Sequence, residues 1–120
     1  MNLAAYCIPG LPVKNRKPLI KNDQNKYQSI ILIVSQELEV SPTDIVAKGR
    51  QREKVLARQI SMRFIREFVY GSSLKTIGDF FNRDHTTVIH SLRALQDLIE
   101  TDEGFSNEFK RIEQRVIAEI

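Results

Sequence analysis

The 120-residue chain predicts an all-α fold, a single compact helical domain of five to six helices containing a helix-turn-helix. Three observations carry this. The length suits one core, and 42% apolar residues beside 28% charged ones is ordinary globular composition, not that of a disordered or fibrous chain. From residue 26 onward the apolar residues recur at helical spacing, with no strand alternation, internal repeat or low-complexity tract. Cap and turn residues then cut that pattern into segments.

Residues 1–25 hold three of the four prolines and show neither period, so they read as an extended basic arm carrying Lys14, Arg16, Lys17 and Lys21. The helical domain spans 26–120. Its first helix places Ile30, Ile31, Val34 and Leu38 on one side. Ser41, Pro42 and Asp44 supply an N-cap, a first-turn proline and a first-turn acid for a short helix ending near Gly49. Lys48 to Lys54, KGRQREK, follows as a polar loop. A longer helix runs from about Lys54 to Tyr70 and stops at Gly71. Its Ala57, Ile60, Phe64, Ile65 and Phe68 form a core stripe, and Arg58, Gln59, Arg63 and Arg66 form a basic face expected to be free for a partner. Ser73 caps a two-turn helix with Leu74, Ile77 and Phe81 inward, and Asn82-Arg83 make a tight turn. Asp84 stands ahead of a helix whose Val88, Leu92, Leu95 and Ile99 keep the core period, with Thr86, His90 and Arg93 opposite. A last helix from about Ser106 uses Phe109, Ile112 and Val116 inward and is acidic outside.

Charge and motif content narrow the function classes. No apolar run, Ile30 to Val34 included, approaches the roughly twenty residues of a membrane helix. The dipeptide Gly-Lys is absent, which excludes a phosphate loop and the nucleotide it would bind. The N-terminus lacks the cationic start of a signal peptide, and one cysteine, Cys7, cannot form an internal disulfide, so a cytoplasmic setting is expected. Net charge is +3 but uneven: residues 41–75 hold eight Lys or Arg against three acids, whereas 98–120 hold three against six. Lys48 to Arg66 alone carries seven cations and one acid, Glu53, which fits a polyanion partner; a solvated helix face with a charged loop would give the same pattern.

Two helices joined by a short turn, the second opening on short polar side chains, have the form of a helix-turn-helix, whose second helix reads base edges with its N-terminal residues. Asp84-His85-Thr86-Thr87 suits that task. A carboxylate accepts from cytosine N4, and threonine methyls touch the thymine methyl. The alternative is that Asp84 only caps the helix and the threonines satisfy first-turn amides.

The segment Arg83-Asp84-His85-Thr86-Thr87-Val88-Ile89-His90 resembles the signature of the C-terminal DNA-binding domain of the bacterial chromosomal replication initiator DnaA. Asp44-Ile45-Val46, then Lys48, Arg50 and Arg52, then Arg58-Gln59-Ile60, then Leu74 with Ile77-Gly78, are similar to its earlier blocks in the same order, over roughly residues 30–109. The resemblance implies double-stranded DNA as the partner. It implies that Arg50 enters the minor groove with Lys48 and Arg52 astride the adjacent phosphates, and that Arg58, Gln59 and Arg66 grip phosphates. Asp84, His85 and Thr86 would hydrogen-bond bases, and Thr87 would pack on a thymine methyl. Lys75 completes the expected DNA-binding set. The chain departs from the family in having Val55-Leu56-Ala57 where Ala-Arg-Pro is usual, and Asn82 where Gly-Gly is common. The family's ATPase domain precedes this module, whereas here a basic arm does, so binding without ATPase activity is expected.

Other chemistry is poorly served. His85 and His90 are five apart and diverge around the helix, unlike an i, i+4 metal pair, and a Cys7-His dyad lacks an orienting third group. Neither catalysis nor a cofactor is expected, and Phe64, Phe68, Phe80 and Phe81 read as core. Two functions are open: a sequence-specific binder of initiator-type (DnaA-box-like) sites, with a monomer on an asymmetric site favoured, or a helical protein-interaction module that keeps the fold without DNA specificity.

Overall fold

A computed structural model describes residues 24–120, which form six helices and, among the described residues, no strand. They are α1 (Gln24–Leu38), α2 (Pro42–Val46), α3 (Arg52–Phe68), α4 (Leu74–Phe81), α5 (His85–Thr101) and α6 (Glu103–Glu119). The extended arm expected over residues 1–25 lies outside the described residues up to position 23, and residues 24 and 25 belong to α1.

The core is built around α3, which touches α1, α2, α4 and α5, while α6 closes over α1 and α5. The predicted stripe of α3, Ala57, Ile60, Phe64, Ile65 and Phe68, is buried throughout. Ile30, Ile31 and Val34 of α1 meet it, as do Ile77 and Phe81 of α4, Val88, Leu92 and Leu95 of α5, and Phe109, Ile112 and Val116 of α6. Phe64 stacks on Phe109 with ring centroids 5.1 Å apart. Tyr27 is buried as well. Its ring meets Phe80 edge-on at 5.0 Å, and its hydroxyl pairs with Ser72 Oγ at 2.8 Å, which supplies the partner a buried phenol needs.

Boundaries of α2, α3 and α6 also differ from expectation, α3 ending at Phe68 and not near Tyr70. α2 begins as predicted, with Ser41 Oγ accepting from the Asp44 amide, but it ends at Val46 and not near Gly49. The carbonyls of Asp44 and Ile45, which another turn would use, are engaged by the Arg58 guanidinium instead. α3 starts at Arg52, two residues early, which shortens the loop to residues 47–51. α6 starts at Glu103, not Ser106, because Asp102 both ends α5 and caps α6, its Oδ1 accepting from the Phe105 amide at 3.0 Å.

Candidate nucleic-acid interface

The helix-turn-helix is α4, its turn and α5. Ser73 Oγ accepts from the Thr76 amide at 3.0 Å and starts α4. The helix stops in a Schellman arrangement: Asn82 is left-handed (φ 56°), its amide donates to Asp79 O, and the Arg83 amide donates to Gly78 O at 2.7 Å. Asparagine is among the few residues that tolerate this conformation, so it serves where the family resemblance has glycine. A side chain at position 78 has no room, since a Cβ there would lie 2.5 Å from the Arg83 carbonyl oxygen. The turn is therefore pressed directly onto α4.

Asp84 caps α5 through its backbone, its carbonyl accepting from the Thr87 and Val88 amides. Its carboxylate makes no cap hydrogen bond and instead accepts the Thr86 hydroxyl, which holds the carboxyl below the usual carboxylate range. Asp84, His85, Thr86 and Thr87 are all exposed, and Val88 behind them is fully buried. The four side chains thus stand at the helix start without being consumed by it. His85 Nδ1 lies 3.6 Å from Asp84 Oδ1.

Residues 47–51 run beside this helix start. Lys48 and Arg50 are exposed there, and Arg52 is exposed in the first turn of α3. Two guanidiniums hold the segment from behind. Arg58 donates from Nε to Ile45 O (2.8 Å), from Nη1 to Gly49 O and from Nη2 to Asp44 O (both 3.2 Å). Arg83 donates from Nη1 to Phe81 O (2.8 Å) and from Nη2 to Ala47 O (3.0 Å). Burial depresses the proton affinity of both, and for Arg58 the nearby Arg83 charge adds to this.

The expectation of a free basic face on α3 is corrected. Arg58 and Arg63 are only 5% and 3% exposed, because α3 is enclosed on nearly every side and its polar arc faces neighbours, not solvent. Arg63 lies over the Phe109 ring, 5.0 Å from its centroid, and Nη1 donates to Gln96 Oε1 at 3.2 Å. Its Nε finds no hydrogen-bond partner among the described residues. Gln59 and Arg66 are half-buried, with Arg66 Nη1 donating to Ser72 O. Lys75, on α4, is largely exposed and pairs with Asp79 at 3.0 Å. Sequence reasoning assigned no task to Arg83. Its place with Asn82 in a tight turn was visible, but nothing in the spacing reveals a contact 36 residues back along the chain.

Residues 27–95, from the first turn of α1 to the middle of α5, match the family described as bacterial dnaA protein helix-turn-helix. The chain belongs to that family. It is 30% identical to the chromosomal replication initiator protein DnaA of Nostoc sp. over 95% of this chain and 26% of that protein. It is 38% identical to DnaA 2 of Protochlamydia amoebophila over 83% of this chain and 24% of that protein. The DnaA of Thermus thermophilus is 39% identical over 61% of this chain and 17% of that protein. The chain spans about a quarter of the length of the curated relatives it matches. Membership of the DnaA helix-turn-helix family supports DNA binding in general. No helix among the described residues is long and apolar enough to cross a membrane.

Proposed function

We propose that this DnaA-family module binds duplex DNA sequence-specifically at initiator-type sites, without nucleotide and without ATPase activity of its own, as a monomer on an asymmetric site in the cytoplasm. The N-terminus of α5 enters the major groove and the 47–51 loop follows the neighbouring minor groove. One observation carries the reading. The Arg83 bond to Ala47 O ties the cationic loop to the turn two residues before His85 opens α5, which supports reading both grooves from one surface.

The chemistry follows from the donors and acceptors available. With its proton directed at Asp84, the Thr86 hydroxyl joins the carboxylate in presenting acceptors, which suits the exocyclic amino groups of cytosine and adenine. His85 adds a ring nitrogen, and Thr87 a methyl for thymine. In this reading Lys48, Arg52, Gln59, Arg66 and Lys75 meet phosphates, and Arg50 enters the minor groove. Arg58 serves chiefly from behind: three of its five N–H donors are committed to carbonyls.

Selection from a pool of randomised duplexes tests the reading. The expected result is one enriched asymmetric consensus, bound more weakly by the His85→Ala and Thr86→Ala variants. A pool that emerges without enrichment would contradict specific binding and favour the protein-interaction reading.

A further inference from the structure

We infer that Arg83 is a positioning residue that fixes the basic loop against the recognition helix, so that the two grooves are read in one set register. The inference rests on the proposed function for its DNA consequence, but the tether is a property of the chain itself. Three observations support it. The Arg83 backbone has little freedom, because its amide is bonded to Gly78 O and its carbonyl oxygen lies only 2.5 Å from where a Cβ on residue 78 would be. Its guanidinium bridges two elements, with Nη1 on Phe81 O at the end of α4 and Nη2 on Ala47 O at the start of the loop. Arg58 then grips carbonyls on either side of Ala47, at Asp44 in α2 and at Gly49 in the loop. Lys48 therefore sits between a carbonyl held by Arg83 and one held by Arg58, and Arg50 follows directly after the second.

The choice of arginine is physically specific. A planar fork can serve two carbonyls from two elements at once, and a lysine ammonium at the same place is a point charge on a flexible stem. Both acceptors are neutral, so the positive charge is retained beside Asp84.

The test combines a measurement on free protein with a binding cycle. In wild type, Arg83→Lys, Arg50→Ala and the double variant, affinity is measured on consensus duplexes whose minor-groove flank is A·T or G·C, at a temperature where circular dichroism shows all four folded. The Arg50→Ala substitution should abolish the flank preference. Arg83→Lys should lower it by about fivefold or more despite the conserved charge, and the double variant should lose no more than Arg50→Ala alone. In free protein, 15N order parameters at residues 48–50 should fall in Arg83→Lys while those of α5 hold. An Arg83→Met arm separates direct phosphate contact, which would lower the salt slope by about one; the tether leaves the slope unchanged. Unchanged loop order, additive losses or a lowered slope would each overturn the inference. Equal wild-type affinity for consensus and shuffled duplexes would instead overturn the proposed function, and the order parameters would still decide on Arg83.

Discussion

Arginines hold this molecule together in two places, and their partners differ in a way that bears on function. At the loop, Arg58 and Arg83 donate to backbone carbonyls of residues 44, 45, 47, 49 and 81. At the opposite seam, where α6 meets α1, Arg111 and Arg115 donate to the two carboxylate oxygens of Glu37 at 2.8 and 2.7 Å. Both arrangements join elements distant in sequence. Carbonyls satisfy donors without cancelling charge, whereas a carboxylate cancels it. The loop-side guanidiniums therefore keep their charge next to Asp84–Thr87, where Lys54 is paired with Asp44 at 3.6 Å and Lys75 with Asp79 at 3.0 Å, whereas at the seam Glu37, Glu108 and Glu119 offset the two arginines. A chain with a net charge of only +3 can in this way present one cationic surface.

Substitutions should separate the two places. The largest effect is expected for Arg58→Ala, which removes a buried side chain and three hydrogen bonds and leaves the carbonyls at the end of α2 without their donor; urea denaturation should show a loss of about 3 kcal/mol. A loss below about 1 kcal/mol would mean that the loop carbonyls are equally well served by water. Next come the base-reading groups. His85→Ala or Thr86→Ala should cost about 1–3 kcal/mol on the selected consensus and little on random duplex. Equal losses on both duplexes would remove the distinction between reading and positioning.

A smaller effect is expected where charge is kept and shape changed. Arg50→Lys should reduce preference for A·T flanks by about 1 kcal/mol, and Arg52→Lys by far less. Smallest is the seam. The Arg115 and then the Arg111 hydrogen bonds hold the Glu37 carboxyl below the usual carboxylate range. Its stabilising contribution is thus full above the unfolded value of about 4.3 and is lost as pH falls through the depressed folded value. Glu37→Gln should lower Tm by about 1–3 °C at pH 7, with the difference closing below about pH 4. DNA affinity should not change, because the seam contributes nothing to the loop side.

Much of this arrangement was legible in the sequence. The apolar period located the core faces of α3, α4 and α5, and Ser41 and Ser73 cap the helices their positions suggested. Asp84–Thr87 are exposed at a helix start, and Thr86, His90 and Arg93 are exposed opposite Val88, Leu92 and Leu95, as the helical period placed them. The α3 arginines were misread because a helical projection shows which residues share an arc, not what packs on that arc. Arg58 and Arg63 occupy an apparently polar side that neighbouring elements cover. The early end of α2 depends on a side chain 13 residues away from Ile45, a contact that local cap signals do not encode. Arg83 was overlooked for the same reason. Its significance lies in a tertiary bond to residue 47, not in its neighbours along the chain.

The cationic character of the loop side is tested most directly by titrating a fluorescent consensus duplex and its shuffled counterpart across a salt series. With Arg58 and Arg63 buried, the exposed cations Lys48, Arg50, Arg52 and Lys75 are the main groups left to displace counterions. Log K should therefore fall against log salt with a slope of about −3 to −4 on both duplexes, the consensus being bound more tightly at every salt concentration. A slope near zero, or coincident curves for the two duplexes, would contradict a cationic face that positions a base-reading helix.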